Sequence, residues 1–156
     1  MQTIGPGTSG EPAPDERGLT LCQRRILLLR GARRQVTRGR EFARSALTDW
    51  GWDTGDAAED TLLVVSELVT NASLHAGGCH ELVLSAGEVF RVEVYDGARD
   101  LPRLQPAPRP GVPGGHGLHI VRRLSDRWGA EAHAHGKVVW AEFEADRLRT
   151  GASRGW

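Results

Sequence analysis

A helical stretch followed directly by two β-branched segments constrains the fold more than any other feature of this chain. Between residues 57 and 76, apolar side chains recur at the three- and four-residue steps of one helix face: Leu62, Val65, Val69 and Ala72. Segments 80–86 and 89–97 are short, rich in β-branched residues and separated by a turn that contains glycine, which predicts a β-hairpin. We therefore expect helices packed against an antiparallel sheet.

The remaining segments extend this pattern to the order β-α-α-β-β-loop-α-β-β. The further predicted elements are a strand at 24–30, a helix within 31–51, a helix at 117–129, and strands at 130–135 and 137–145. This order predicts an α/β (α+β) two-layer sandwich with helices on one face of a mixed, mostly antiparallel sheet. Segments rich in Gly, Pro, Ser and charge predict flexible tails at 1–18 and 148–156, which leaves one domain at 19–147.

Composition excludes several classes of protein. The 156 residues are enough for one domain with a sizeable core, and 20 basic and 20 acidic residues cancel, so no direct nucleic-acid or membrane partner is expected. Two cysteines are too few for a secreted disulfide scaffold. No signal peptide and no apolar run of about 18 residues is visible. A cytoplasmic protein is the expectation.

The predicted second helix carries Glu67, Asn71 and His75 at four-residue steps, which places them on one face. The amide oxygen of Asn71 suits a hard cation such as Mg²⁺ whose other ligands are phosphates and water. The carboxylate of Glu67, one turn earlier, could hold or deprotonate a hydroxyl or a water. A solvated polar face is the alternative interpretation of the same stripe.

Two later motifs could bind parts of a nucleotide. Asp96 ends a predicted strand, and a carboxylate, which only accepts hydrogen bonds, suits the exocyclic amine of adenine. Gly114, Gly115 and Gly117 precede a predicted helix, where backbone N–H groups and the helix dipole favour an anion. An ordinary turn at Asp96-Gly97 and a flexible linker are the alternatives.

Taken in order, these motifs resemble the GHKL or Bergerat-fold ATPases. Glu67-x-x-x-Asn71 resembles their N box, Asp96-Gly97 is similar to their adenine-recognising motif, and Gly115-His116-Gly117-Leu118 resembles their second glycine box. The fuller pattern covers roughly residues 24 to 145 and resembles the small anti-sigma-factor serine/threonine kinases and their stand-alone actinobacterial relatives.

The resemblance implies a role for each matching residue. Glu67 would be the catalytic base, Asn71 would bind Mg²⁺, and Asp96 with Gly97 would hold adenine. The glycine-box residues would contact the phosphates of ATP: Gly115, His116, Gly117 and Leu118. The proline-rich loop from Arg99 to Gly114 would be an ATP lid.

The implied function is that of an ATP-binding regulatory protein, with ATP and Mg²⁺ as cofactors. It would bind a sigma factor or another partner and phosphorylate a serine or threonine of an antagonist protein, and since such proteins often dimerise, a homodimer is a further expectation. The motif at 96–100 lacks the family's usual two later glycines, and Val138 stands where threonine is common. A partner-binding module without kinase activity, with or without nucleotide, is therefore the alternative.

Overall fold

The fold is taken from a computed structural model that describes residues 22–102 and 117–151. This part of the chain contains five strands and four helices. In chain order they are β1 (Gln23–Leu28), α1 (Gln35–Asp49), α2 (Gly55–His75), β2 (Cys79–Ala86), β3 (Val89–Asp96), α3 (Gly117–Leu124), β4 (Arg127–His133), β5 (Gly136–Glu144) and α4 (Ala145–Thr150). The predicted tail 1–18 and most of the predicted lid lie outside the described residues.

The strands form one sheet in the order β1-β2-β3-β5-β4, and all four pairings are antiparallel. The predicted two-layer α+β architecture is confirmed, although the described sheet is antiparallel throughout rather than mixed. Buried and partly exposed residues alternate along a strand that has one face on the core, because successive side chains point to opposite faces of the sheet. Along β3, for example, Phe90, Val92 and Val94 are buried in the core, while Arg91 and Glu93 are partly exposed.

The core lies between the sheet and the helices. Helix α2 contributes the longest buried stripe and packs against α1, α3 and the central strands β3 and β5. Two phenylalanines, Phe90 and Phe143, are fully buried with their ring centroids 6.3 Å apart. Among the described residues, no helix is both long and apolar enough to cross a membrane.

The helix predicted at 117–129 is too long, because α3 ends at Leu124 and β4 begins at Arg127. The Ser125 hydroxyl donates to the Val121 carbonyl at the helix end. Arg127 then forms ion pairs with Glu142 and Glu144 of the neighbouring strand. These partners lie 15 and 17 residues away in sequence, so the helical spacing of the local residues did not reveal them.

The sequence did not predict α4, which overlaps the first three residues of the predicted C-terminal tail. Leu148 is fully buried in the core. Arg147 donates to the Asp126 carboxylate at 2.8 Å and to the Leu124 carbonyl at 3.2 Å. These contacts attach α4 to the end of α3 and to the start of β4.

Candidate functional site

Helix α2 carries the predicted polar stripe at the edge of its buried face. Glu67 and Asn71 are half-buried, and the residues beside them, Leu68 and Ala72, belong to the core. His75 is the last residue of α2 and is exposed. The helix therefore brings Glu67 and Asn71 together beside the core, while His75 lies at its solvent-facing end.

The carboxylate of Glu67 lies against the first residue of α3. A Cβ placed on Gly117 would come 2.8 Å from Glu67 Oε2 and 3.6 Å from Glu67 Cβ. Glycine is therefore the residue that allows this approach without displacing the carboxylate. Free N–H groups and the positive end of the α3 dipole favour negative charge at this position.

Asp96 ends β3 and is almost completely buried, with Lys137 of β5 as its counter-ion. Lys137 Nζ lies 3.0 Å from each carboxylate oxygen of Asp96, and the two side chains are only 3% and 1% exposed. Lys137 also donates to the Ala98 carbonyl at 3.3 Å, and the Ala98 N–H donates to Asp96 Oδ1 at 2.9 Å. The carboxylate is thus held by one lysine and one backbone N–H.

The two oxygens of Asp96 are not equivalent. Oδ1 accepts hydrogen bonds from Lys137 and Ala98. Oδ2 is within ion-pair distance of Lys137 Nζ but does not meet the geometry of a hydrogen bond, and no other partner for it is found among the described residues. This buried carboxylate oxygen therefore retains unused capacity to accept a hydrogen bond.

Cys79, at the start of β2, lies opposite Asp96 in the sheet. Burial, and next the negative charge of Asp96, raise the pKa of its thiol to about 12. The thiol is therefore protonated at neutral pH and adds no charge beside Asp96.

The chain path brings Asp96 to the end of the sheet that adjoins the last turn of α2. Only residues 76–78 separate α2 from β2, and the Gly78 N–H donates to the Ala72 carbonyl at 3.0 Å. Cys79, the next residue, pairs with Asp96. Asn71, next to Ala72, therefore lies at the same end of the domain as Asp96.

The glycine-box residues are only partly described. Leu118 is buried in α3 with 5% exposure, which identifies it as a packing residue of the helix start. Gly115 and His116 lie outside the described residues. Gly97 is exposed, and a Cβ placed on it would come 2.9 Å from the ring of His80.

Lys137 is the residue that motif analysis missed. It is the only lysine among the 20 basic residues, which was the one available signal. Lysine is almost never fully buried without a partner, so a single lysine within an apolar strand indicates a buried ion pair. The spacing of 41 residues from Asp96 gave no indication of which acid it would contact.

Comparison with known proteins places these observations in a family. The sequence profile of the histidine kinase-like ATPase domain matches residues 29–143, which covers most of the chain and every site residue described above. A search of curated proteins found no match. The chain therefore belongs to the histidine kinase-like ATPase domain family, within the GHKL-type ATPases.

Proposed function

We propose that this ATPase-family domain is a regulatory protein kinase of the anti-sigma type. It would bind a sigma factor or another partner and transfer a phosphoryl group from ATP to a serine or threonine of an antagonist protein. The observation that carries the proposal is the carboxylate of Glu67 against the first residue of α3. A protein that only binds nucleotide has no need of a basic oxygen at the phosphate end of its site.

The residues present fit the nucleotide that the family binds. Asp96 Oδ2 is a buried acceptor without a hydrogen-bond partner among the described residues, as a base with an exocyclic amine requires. At the other end, Gly117 lets the Glu67 carboxylate lie against the start of α3, and a helix N-terminus is where phosphate oxygens are favoured.

Each side chain then has a definite task. When bound, Mg-ATP would supply the phosphoryl group, and its Mg²⁺ would offset the negative charge of the phosphates. The amide oxygen of Asn71 would be the protein's ligand to Mg²⁺. Glu67 would accept the proton of the attacking serine or threonine hydroxyl, a role worth about 10²- to 10⁴-fold in rate.

Calorimetry tests the binding half of this proposal. Asn71→Ala should remove the Mg²⁺-dependent part of the affinity for ATP, because the cation loses its protein ligand. Ser73→Ala is the matched control, since Ser73 is an exposed polar residue two positions further along the same helix. The assignment of Asn71 fails if both variants bind Mg-ATP as tightly as the unaltered protein.

Phosphoryl transfer tests the catalytic half. The protein is used to capture partners, and Mg-ATP labelled at the γ-phosphate is added to the captured proteins. Glu67→Gln should lose most of the label transferred to serine or threonine yet still bind ATP. Glu59→Gln, which changes an exposed acid of the same helix, should transfer label normally. Undiminished transfer by Glu67→Gln would remove this residue from the mechanism.

One observation favours the alternative of a module that binds partners without nucleotide. The Asp96 side chain that would receive adenine is only 1% exposed. If the unaltered protein shows no binding of Mg-ATP in the calorimeter, the alternative is correct and the kinase proposal is wrong.

A further inference from the structure

Lys137 stands out because neither the motif pattern nor the proposed chemistry uses it. Its ammonium group is buried, and its polar contacts among the described residues are to the segment 96–98: both carboxylate oxygens of Asp96 and the carbonyl oxygen of Ala98. A buried lysine bound in this way decides the charge and the orientation of the carboxylate that it contacts.

The contacts hold Asp96 in one orientation. Lys137 and the Ala98 N–H both donate to Oδ1, at 3.0 and 2.9 Å. Oδ2 lies 3.0 Å from the positively charged Nζ of Lys137 and is left without a hydrogen bond from the described residues. The result is a carboxylate oxygen with unused acceptor capacity beside a positive charge.

We propose that Lys137 is a positioning residue for nucleobase selection, which acts by keeping Asp96 an ionised acceptor. The proposal rests on the nucleotide-binding function described above. An ionised Oδ2 accepts the exocyclic amine of adenine, whereas it repels the carbonyl oxygen that hypoxanthine and guanine carry at the same ring position. Lys137 would thus select the base without touching it.

Removing the lysine charge should alter this preference. In Lys137→Met the carboxyl group of Asp96 stays buried but loses its counter-charge. A carboxyl group buried without compensation becomes neutral by taking up a proton. The neighbouring Cys79 provides no substitute charge because its thiol is protonated. His80, whose ring lies near Gly97, and Glu81, whose charge acts on Cys79, are further titratable groups at this end of the sheet. A protonated Asp96 can donate to a carbonyl oxygen, so hypoxanthine becomes an acceptable base.

The test compares the dissociation constants of Mg-ATP and Mg-ITP. The two bases differ in the 6-amino or 6-oxo group and in the adjacent N1, which is an acceptor in adenine and carries a proton in hypoxanthine. The unaltered protein should prefer ATP by about 10- to 100-fold, the range of one hydrogen bond to a charged group. Lys137→Met should bind ATP about tenfold or more weakly while its affinity for ITP is unchanged or higher. If the role of Lys137 is purely structural, its replacement should weaken the binding of both nucleotides by the same factor, and that result would overturn the inference.

Two further variants keep the test decisive if Lys137→Met does not fold. Lys137→Arg retains the charge and should retain the preference for ATP. The double variant Asp96→Asn/Lys137→Met replaces the ion pair with a neutral amide, which can turn either its oxygen or its NH₂ group to the base. It should bind ATP and ITP within about threefold of each other. A double variant that still prefers ATP by more than tenfold would contradict the inference.

The outcomes also separate this inference from the function on which it rests. If the unaltered protein binds neither nucleotide, the nucleotide function itself is wrong and the inference falls with it. If the unaltered protein binds ATP and Lys137→Met keeps the full preference for ATP, only the role of Lys137 is wrong.

Discussion

Gly136→Ala should lower the free energy of unfolding by about 3 kcal/mol. Gly136 begins β5, where an added Cβ would lie 1.9 Å from the carbonyl oxygen of Asp96 and 3.0 Å from Gly97 Cα. Contacts below 3.0 Å are essentially never made by a real Cβ, so β3 and β5 must separate by about 1 Å at this end. The same movement separates Lys137 from Asp96, since these residues are paired across the two strands.

The magnitude combines two costs. Overpacking of a filled site costs about 1–3 kcal/mol. Loosening a buried ion pair adds part of the roughly 3–5 kcal/mol that complete removal of one partner costs. In a chain of this size each kcal/mol lowers Tm by about 2–4 °C, so Tm should fall by roughly 6–12 °C.

Two other glycines serve as controls. Gly51 has a φ of +73° and nothing within 4 Å of an added Cβ, so Gly51→Ala measures the cost of a positive φ alone, about 1 kcal/mol. Gly117→Ala places its Cβ against the mobile end of the Glu67 side chain, 2.8 Å from Oε2. It should change stability by no more than about 1 kcal/mol, because the carboxylate can rotate away.

Urea and thermal unfolding followed by circular dichroism measure all three variants. A loss of stability in Gly136→Ala no larger than the loss in Gly51→Ala would refute the reasoning. It would mean that β3 and β5 do not approach each other at Asp96 as closely as described.

Two further predictions use the pKa shifts. The pKa of Cys79 is raised to about 12, first by burial and then by Asp96. A thiol reagent at pH 8 should therefore label the exposed Cys22 at once and the buried Cys79 only on unfolding. Immediate labelling of both cysteines would contradict this prediction. Burial alone would raise the pKa of Glu142, but hydrogen bonds from Arg127 and Arg91 lower it below its usual value. Its stabilising contribution is therefore present above its unfolded pKa of about 4.3 and is lost as pH falls through the lower folded value. When the pH is lowered from 6 to 3, the free energy of unfolding should fall less in the Glu142→Gln variant than in the unaltered protein. The prediction is wrong if the two proteins have the same urea midpoint at every pH.

The order of the elements was predictable because it depends on local patterns. Segments 80–86 and 89–97 are short, rich in β-branched residues and joined by a turn that contains glycine, and the structure has β2 and β3 there. Errors arose where distant residues decide the outcome. Arg127 lies in β4, where it is paired with Glu142 of β5 and forms ion pairs with Glu142 and Glu144, although its local sequence continues a helical pattern.

The candidate site was predictable to a different extent on each element. Glu67 and Asn71 share a helix, so their common face follows from spacing alone. The approach of Glu67 to Gly117 depends on how α2 packs against α3, and local periodicity does not determine that packing. Asp96 could be assigned to a strand end, but its partner could not be identified, because β3 and β5 are separated by α3 and β4 and have no turn that sets their register.

The register between β3 and β5 therefore links the core to the site. Three apolar pairs across these strands contribute to the core: Phe90 with Phe143, Val92 with Ala141, and Val94 with Val139. A slip of one residue would turn the core-facing side chains of one strand to the opposite face. It would also place a neighbour of Lys137 opposite Asp96. The burial that stabilises the central strands thus fixes the one alignment in which the only lysine of the chain meets the carboxylate at the end of β3.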